Sequence, residues 1–194
     1  MNDEKNEILI SFEKLRFEIR AKAKMGVDFI LAAGIVWFGI FLIWRFTENT
    51  SYEKSIFTFI SGAFLMPIAF GFSKILKTTW KIKNNPLEPL GLWLNFAQLI
   101  YFPFLVFILI KYPDYFIMAY AIITGAHLFP YAWFYDEIGY AVAAIIISVG
   151  SMLLALNLDP EQIYYIPILT SIALLIHGGW ILIKSQKLSN PKVF

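Results

Sequence analysis

Six apolar segments, each long enough to cross a lipid bilayer, constrain this chain more than any other feature. A membrane-spanning helix needs about 20 mostly apolar residues. The segments that meet this requirement cover residues 27–46, 55–76, 89–110, 113–134, 138–156 and 163–183. Only 15% of the residues are charged, against about 25% in a soluble domain. The sequence therefore predicts an all-α fold, a polytopic integral membrane bundle of about six transmembrane helices.

The region before the first span is charged and mixed, and it lacks the apolar stretch of a cleavable signal peptide. We expect the first span to act as an uncleaved signal anchor. Ile8, Phe12, Leu15 and Ile19 recur at helical spacing, which predicts an N-terminal amphipathic helix. Two interpretations stay open. The helix lies on the inner leaflet with its basic residues near anionic headgroups, or it is a solvated helix that caps the bundle.

No polar linker separates the apolar segments, so we expect a single bundle domain. The predicted organisation is a cytoplasmic amphipathic segment over residues 1–24, a six-span bundle over 25–184 and a cytoplasmic tail over 185–194.

Basic residues are distributed unevenly between the two sets of connecting segments, and this bias predicts orientation. One set carries thirteen of them, namely Lys5, Lys14, Arg16, Arg20, Lys22, Lys24, Lys74, Lys77, Lys81, Lys83, Lys184, Lys187 and Lys192. The opposite set carries only Arg45, Lys54 and Lys111. We therefore expect a multi-pass protein of the cell membrane with both termini in the cytoplasm. The acidic turn at Asp136 and Glu137 lies on the same side and contributes little to orientation.

Polar side chains inside the spans are costly in hydrocarbon and mark candidate functional residues. They are Asn95 and Gln98 in the third span, Thr124 and His127 in the fourth, and His177 in the sixth. A rise of 1.5 Å per residue places most of them about 10 Å below the inner surface, with Gln98 about one turn deeper. Side chains from three helices thus share one layer. The pattern predicts a polar ligand-binding site in the cytoplasmic half of the bundle.

Several of these features have a structural alternative. The polar residues could form separate interhelical hydrogen bonds. Gly125 and Gly178, close to the two histidines, fit either close helix packing or space for a ligand. Asp28 is expected to pair with Lys24 or with a basic residue of an inner loop. Proline residues inside three spans, Pro67, Pro103 and Pro130, predict local distortion because each removes a backbone donor.

Many kinds of chemistry lack their sequence signal. There is no cysteine, which excludes disulfides, thiolate metal sites and cysteine nucleophiles. Walker-type phosphate loops, His-Glu-x-x-His zinc motifs and serine nucleophile elbows are also missing. We expect no cofactor, no metal and no nucleic-acid partner. The expected partners are the lipid bilayer and a possible small polar ligand.

Two stretches carry a resemblance to a known family. They are residues 85–103, with the run GLWLNFAQLIYFP, and residues 121–133, with the run AIITGAHLFPYAW. Both are similar to a family of small bacterial multi-span membrane proteins classified as a domain of unknown function. The resemblance implies a bacterial membrane location and brings no activity.

Three functions remain open at this point. The favoured one is binding or transport of a small molecule through the layer of Asn95, Gln98, Thr124, His127 and His177. A membrane-embedded enzyme acting on a lipid-borne substrate, with His127 as general base, is an alternative, although no nucleophile or metal-ligand set supports it. The third is a structural or regulatory partner of another membrane protein.

Overall fold

A computed structural model describes residues 2–188 of the chain, without the side chains of residues 2–6 and 8. This part is α-helical and contains no β-strand. The helices are α1 (Asn2–Lys22), α2 (Val27–Phe46), α3 (Ser51–Ser61), α4 (Leu65–Leu76), α5 (Glu88–Leu99), α6 (Phe102–Lys111), α7 (Phe116–Phe134), α8 (Gly139–Asn157) and α9 (Tyr165–Leu188). The predicted fold class, an all-α helical bundle with a preceding helix, is confirmed.

Within residues 2–188, six stretches are long and apolar enough to cross a membrane, as the sequence predicts. They are Lys24–Phe46, Ser51–Leu76, Glu88–Lys111, Pro113–Phe134, Gly139–Asn157 and Pro160–Leu188. The second begins four residues earlier than predicted because of a capping box. The Thr50 hydroxyl accepts from the Glu53 backbone amide at 3.3 Å, and the Glu53 carboxylate accepts from the Thr50 amide at 2.8 Å. These bonds satisfy donors left free at a helix start.

Spans two and three are each divided near a proline. A short 3₁₀ turn, Gly62–Phe64, separates α3 from α4 just before Pro67. Residues 100 and 101 separate α5 from α6 just before Pro103. Pro130, by contrast, lies inside a continuous α7. The distortion expected from proline is therefore present in two of the three spans.

The core of the bundle is formed by α2, α7, α8 and α9, which approach closely at small residues. A methyl group added to Gly125 would lie 2.5 Å from the Ser148 hydroxyl and 3.0 Å from the Ala144 carbonyl oxygen. One added to Gly178 would lie 2.6 Å from a Leu31 methyl group. Neighbouring side chains thus fill the space beside these glycines, which supports their packing role over space for a ligand.

Helix α1 lies across one end of the bundle, where the connection between α4 and α5, the turn between α7 and α8 and the last turns of α9 also meet. Phe12 and Leu15 are half-buried and Ile19 is buried; the side chain of Ile8 lies outside the described residues. The Phe12 ring packs on Trp133 at 5.8 Å. The predicted stripe therefore faces the bundle, and α1 caps it. We call this end of the molecule the α1 end.

Polar contacts hold α1 at both sides. The guanidinium groups of Arg16 and Arg20 pair with Asp136 at 3.4 and 3.0 Å. The Asn85 amide donates to the Leu15 carbonyl oxygen at 2.9 Å. These contacts place the basic segments that flank the spans at one end of the bundle.

Candidate functional site

The five predicted site residues lie in different surroundings. Thr124 and His177 are buried, His127 and Gln98 are half-buried, and Asn95 is exposed. Within the described part of the chain, none of the five donates a hydrogen bond to another. The side-chain amide of Asn95 instead donates to the carbonyl oxygen of Gly91 on its own helix at 3.0 Å. A single site that includes all five residues would therefore need other side chains or a ligand to connect them.

Two tyrosine rings lie between the histidines. The His127 ring packs edge-on against Tyr131 at 5.3 Å, Tyr131 lies 5.8 Å from Tyr140, and Tyr140 lies 4.5 Å from His177. Tyr135 packs on both tyrosines, at 5.7 and 5.6 Å between ring centroids. We call Tyr131, Tyr135 and Tyr140 the tyrosine cluster. It connects the fourth span to the sixth through continuous ring contacts.

The tyrosine cluster also contacts the third span. The Tyr131 hydroxyl donates to the Gly91 carbonyl oxygen at 3.2 Å, and Asn95 donates to the same oxygen. Gly91 also lets α5 lie close to α7, because a methyl group there would lie 3.3 Å from the Phe134 ring. One backbone oxygen of α5 thus joins a tyrosine of α7 to a predicted site residue.

The surroundings of His177 contain a buried carboxylate. Glu137 is 2% exposed and pairs with the Lys184 ammonium group, and its Oε1 accepts from the Trp180 indole and the Gly139 amide, both at 3.3 Å. A methyl group on Gly139 would lie 2.9 Å from the His177 ring and 3.2 Å from Oε1 of Glu137. Glycine at this position therefore leaves room for both the imidazole and the carboxylate close to the backbone.

Opposing effects act on the Glu137 carboxyl, which lies between the spans. Burial raises its pKa, but hydrogen bonds from Lys184, Gly139 and Trp180 and the positive charge of Lys184 together lower it by more, so the net pKa is below the ordinary value of 4.5. Glu137 is therefore ionised at neutral pH. The Nε2 atom of His177 is buried and has no hydrogen-bond partner among the described residues.

A second buried carboxylate begins the first span. Asp28 is 1% exposed and accepts from the Thr78 hydroxyl at 2.5 Å, from the Trp80 indole at 2.7 Å and from the Phe29 amide at 3.0 Å. The expected ion pair with Lys24 or a basic loop residue is wrong. Lys24 donates to the Leu76 carbonyl oxygen at 2.7 Å. Asp28 is satisfied by neutral donors, two from the loop that follows α4 and one from the backbone of α2.

The family follows from a comparison over most of the chain. A family profile matches residues 12–184, which include the end of α1 and the six spans up to Lys184. The chain belongs to DUF7010, a family of unknown function. No curated protein and no solved structure matches this DUF7010 chain. The stretches that carry the resemblance lie inside the matched range, so the predicted family is confirmed, whereas its bacterial origin stays a prediction.

The DUF7010 chain has a strained turn where α1 meets α2. Lys24, Met25 and Gly26 have φ values of 47°, 54° and 68°. A left-handed conformation costs a non-glycine residue of order 1–3 kcal/mol and persists only when its surroundings impose it. Here the hydroxyl of Tyr140 donates to the Met25 carbonyl oxygen at 2.5 Å. A methyl group on Gly26 would lie 3.1 Å from the hydroxyl oxygen of Tyr135. The tyrosine cluster therefore supports this turn.

Sequence reasoning missed the tyrosine cluster and Glu137 in this DUF7010 protein. Tyr131 follows His127 by four residues and so shares its helix face, a signal that was available. Glu137 gave no such signal, because an acidic residue in a short turn is normally solvated. The described residues contain no group of three or more His, Asp or Glu side chains placed to hold a metal ion.

Proposed function

We propose that the protein binds a small polar molecule, for binding alone or for transport, in the half of the bundle near the α1 end. The observation that carries this proposal is the buried Nε2 of His177, unpartnered among the described residues, beside the ionised Glu137. Buried polar atoms in folded proteins nearly always have a hydrogen-bond partner, so an exception needs an explanation. A polar ligand atom that reaches Nε2 would supply the missing bond.

The geometry of α5 and α7 supports a second part of the same site. Consecutive spans run antiparallel, and Tyr131 meets Gly91 near the α1 end. Four residues further from that end, about 6 Å along each helix axis, α7 carries His127 and α5 carries Asn95. These two residues are therefore at the same level. Another turn brings Thr124 to the level of Gln98. We propose Gln98, Thr124 and His127 as a second group of ligand contacts, separated from His177 by the rings of Tyr131 and Tyr140, with Asn95 at the edge that faces lipid.

These side chains suit an uncharged or weakly charged polar ligand. The Gln98 amide and the Thr124 hydroxyl each offer a donor and an acceptor without net charge. A neutral imidazole offers one N–H donor and one nitrogen acceptor. The surrounding partner is the lipid bilayer. The excess of basic residues at the α1 end supports a cell-membrane location with that end, and hence both termini, in the cytoplasm.

Ligand-induced stabilisation tests the proposal even while the ligand is unidentified. Purified protein in lipid nanodiscs is heated with millimolar amino acids, organic acids, amines, sugars or nucleosides, one class at a time. A ligand at about 100 times its Kd adds about 2.7 kcal/mol to the stability of the folded state. We expect one class to raise the melting temperature of the wild type, and the His177→Leu and His127→Leu variants to lose that response.

A matched control is Phe129→Leu, since Phe129 is an exposed residue two positions from His127 on the same helix. It should keep the full response. The proposal fails if no class stabilises the wild type, or if both histidine variants respond as strongly as Phe129→Leu.

A further inference from the structure

The third span is the least buried of the six. Only 6% of its most apolar 18-residue stretch is buried, against 44% for the first and sixth spans. Its inward side, with Leu90 and Leu94, packs against the core. Its outer side exposes large apolar side chains, including Leu92 and Leu99. These apolar side chains are suited to contact with lipid chains. One residue on the same face is polar.

That residue is Asn95, which is exposed at a depth of about 10 Å from the helix start, inside the apolar layer. Its amide group has two N–H donors and an acceptor oxygen. One N–H donates to the Gly91 carbonyl oxygen at 3.0 Å. The other N–H and the oxygen have no partner among the described residues. Because lipid chains offer no hydrogen bonds, unsatisfied polar groups at this depth are costly.

We propose that the third spans of two copies of this chain pair with each other, with the two Asn95 amides hydrogen-bonded across the interface. Two copies inserted in the same orientation are related by a two-fold axis along the membrane normal, which gives a self-complementary interface. That symmetry places the same residue of both copies at the same depth. The free donor and the free acceptor of Asn95 match the same groups in the other copy.

The spacing of the neighbouring side chains fits this pairing. Leu92, Asn95 and Leu99 are separated by three and then four residues, the spacing of a seam between two helices. A single asparagine in such a seam fixes register and oligomeric state in coiled coils. Gln98 is half-buried on the inward side. The interface therefore leaves the proposed ligand site, with Gln98, Thr124, His127 and His177, inside each copy.

Cysteine crosslinking tests the interface, because the natural chain contains no cysteine. Leu92→Cys and Trp93→Cys are compared in nanodiscs or native-like vesicles under mild oxidation. Both residues are exposed, at 57% and 67%, but helical geometry turns Trp93 about 100° away from Leu92. We expect Leu92→Cys to form a covalent dimer and Trp93→Cys to form several-fold less. Equal crosslinking at the two positions would overturn the proposal.

The role of the amide is tested by Asn95→Leu and Asn95→Gln. Hydrogen bonds between membrane helices contribute about 0.6 to 2 kcal/mol, so the dimer Kd, measured by sedimentation equilibrium in micelles, should rise about 3-fold to 30-fold in Asn95→Leu. Asn95→Gln, which keeps the amide, should stay closer to the wild type. Circular dichroism checks that both variants are folded. A wild type that is monomeric at every detergent ratio, or an Asn95→Leu dimer as tight as the wild type, overturns the proposal.

Discussion

The hydroxyl of Tyr140 donates a hydrogen bond of 2.5 Å to the carbonyl oxygen of Met25, 115 residues away in the sequence. Tyr140 lies in the first turn of α8, and Met25 lies in the left-handed turn that precedes α2. The ring of the same tyrosine packs on His177 at 4.5 Å. One side chain thus connects the strained turn to the proposed ligand site.

Removal of this hydroxyl should destabilise the protein. Tyr140→Phe keeps the ring but leaves the buried Met25 carbonyl oxygen without its partner, a loss of about 1–3 kcal/mol. Unfolding in mixed micelles by titration with SDS measures the effect. Tyr115→Phe is the control, since Tyr115 is 55% exposed. Similar stability of the two variants would contradict a supporting role for the Tyr140 hydroxyl.

The Glu137–Lys184 pair should give the protein an acid-sensitive stability. The folded-state pKa of Glu137 is lowered, so its contribution is present above the ordinary value of 4.5 and is lost as pH falls through the lowered value. Lys184→Met leaves a buried charge without its ion partner. We expect Lys184→Met to lower the free energy of unfolding by about 1–3 kcal/mol at neutral pH. Below pH 4.5, the stability of this variant should depend less on pH than that of the wild type.

The measurement is the melting temperature in nanodiscs as a function of pH, for the wild type, Lys184→Met, Glu137→Gln and the double variant. If the pair acts as a unit, the effects of the two single changes should not add. Additive effects would argue against the pair as the source of the acid sensitivity. So would a Glu137→Gln melting temperature that falls at low pH as much as that of the wild type.

Two glycines in the spans should respond in opposite directions to alanine. Gly125→Ala places a methyl group 3.0 Å from the Ala144 backbone oxygen, so α7 and α8 must separate, at a cost of about 1–3 kcal/mol. Gly179 has nothing within 4 Å of that position. There alanine should be neutral or stabilising by up to about 1 kcal/mol, because it is the better helix former. Equal melting temperatures for the two variants would rule out close packing at Gly125.

Labelling of single cysteines tests the orientation. Glu48 and Asn84 are both exposed and lie in connections at opposite ends of the bundle. In intact cells, a membrane-impermeant maleimide should label Glu48→Cys but not Asn84→Cys, and lysis should expose Asn84→Cys. The reverse result would place the α1 end and the proposed site on the outer side of the membrane.

The sequence predicted the features that depend on length and local pattern. Runs of about 20 apolar residues can satisfy their backbone groups in lipid only as helices, so all six spans were predictable from hydropathy. The stripe of Phe12, Leu15 and Ile19 likewise predicted the face of α1 that packs on the bundle. Prolines at positions 67 and 103 indicated two of the breaks. The depth of each polar residue followed from the helical rise.

Only the tertiary structure decided the direction in which each polar side chain points and which side chains lie beside it. A depth of about 10 Å is the same for Asn95 and His177 by helical rise, yet Asn95 is exposed and His177 is 6% exposed. Rotation of a helix about its axis depends on packing against its neighbours, and the rise per residue carries no information about it. For the same reason the tyrosine cluster, the partners of Asp28 and the burial of Glu137 followed from contacts between segments far apart in the chain.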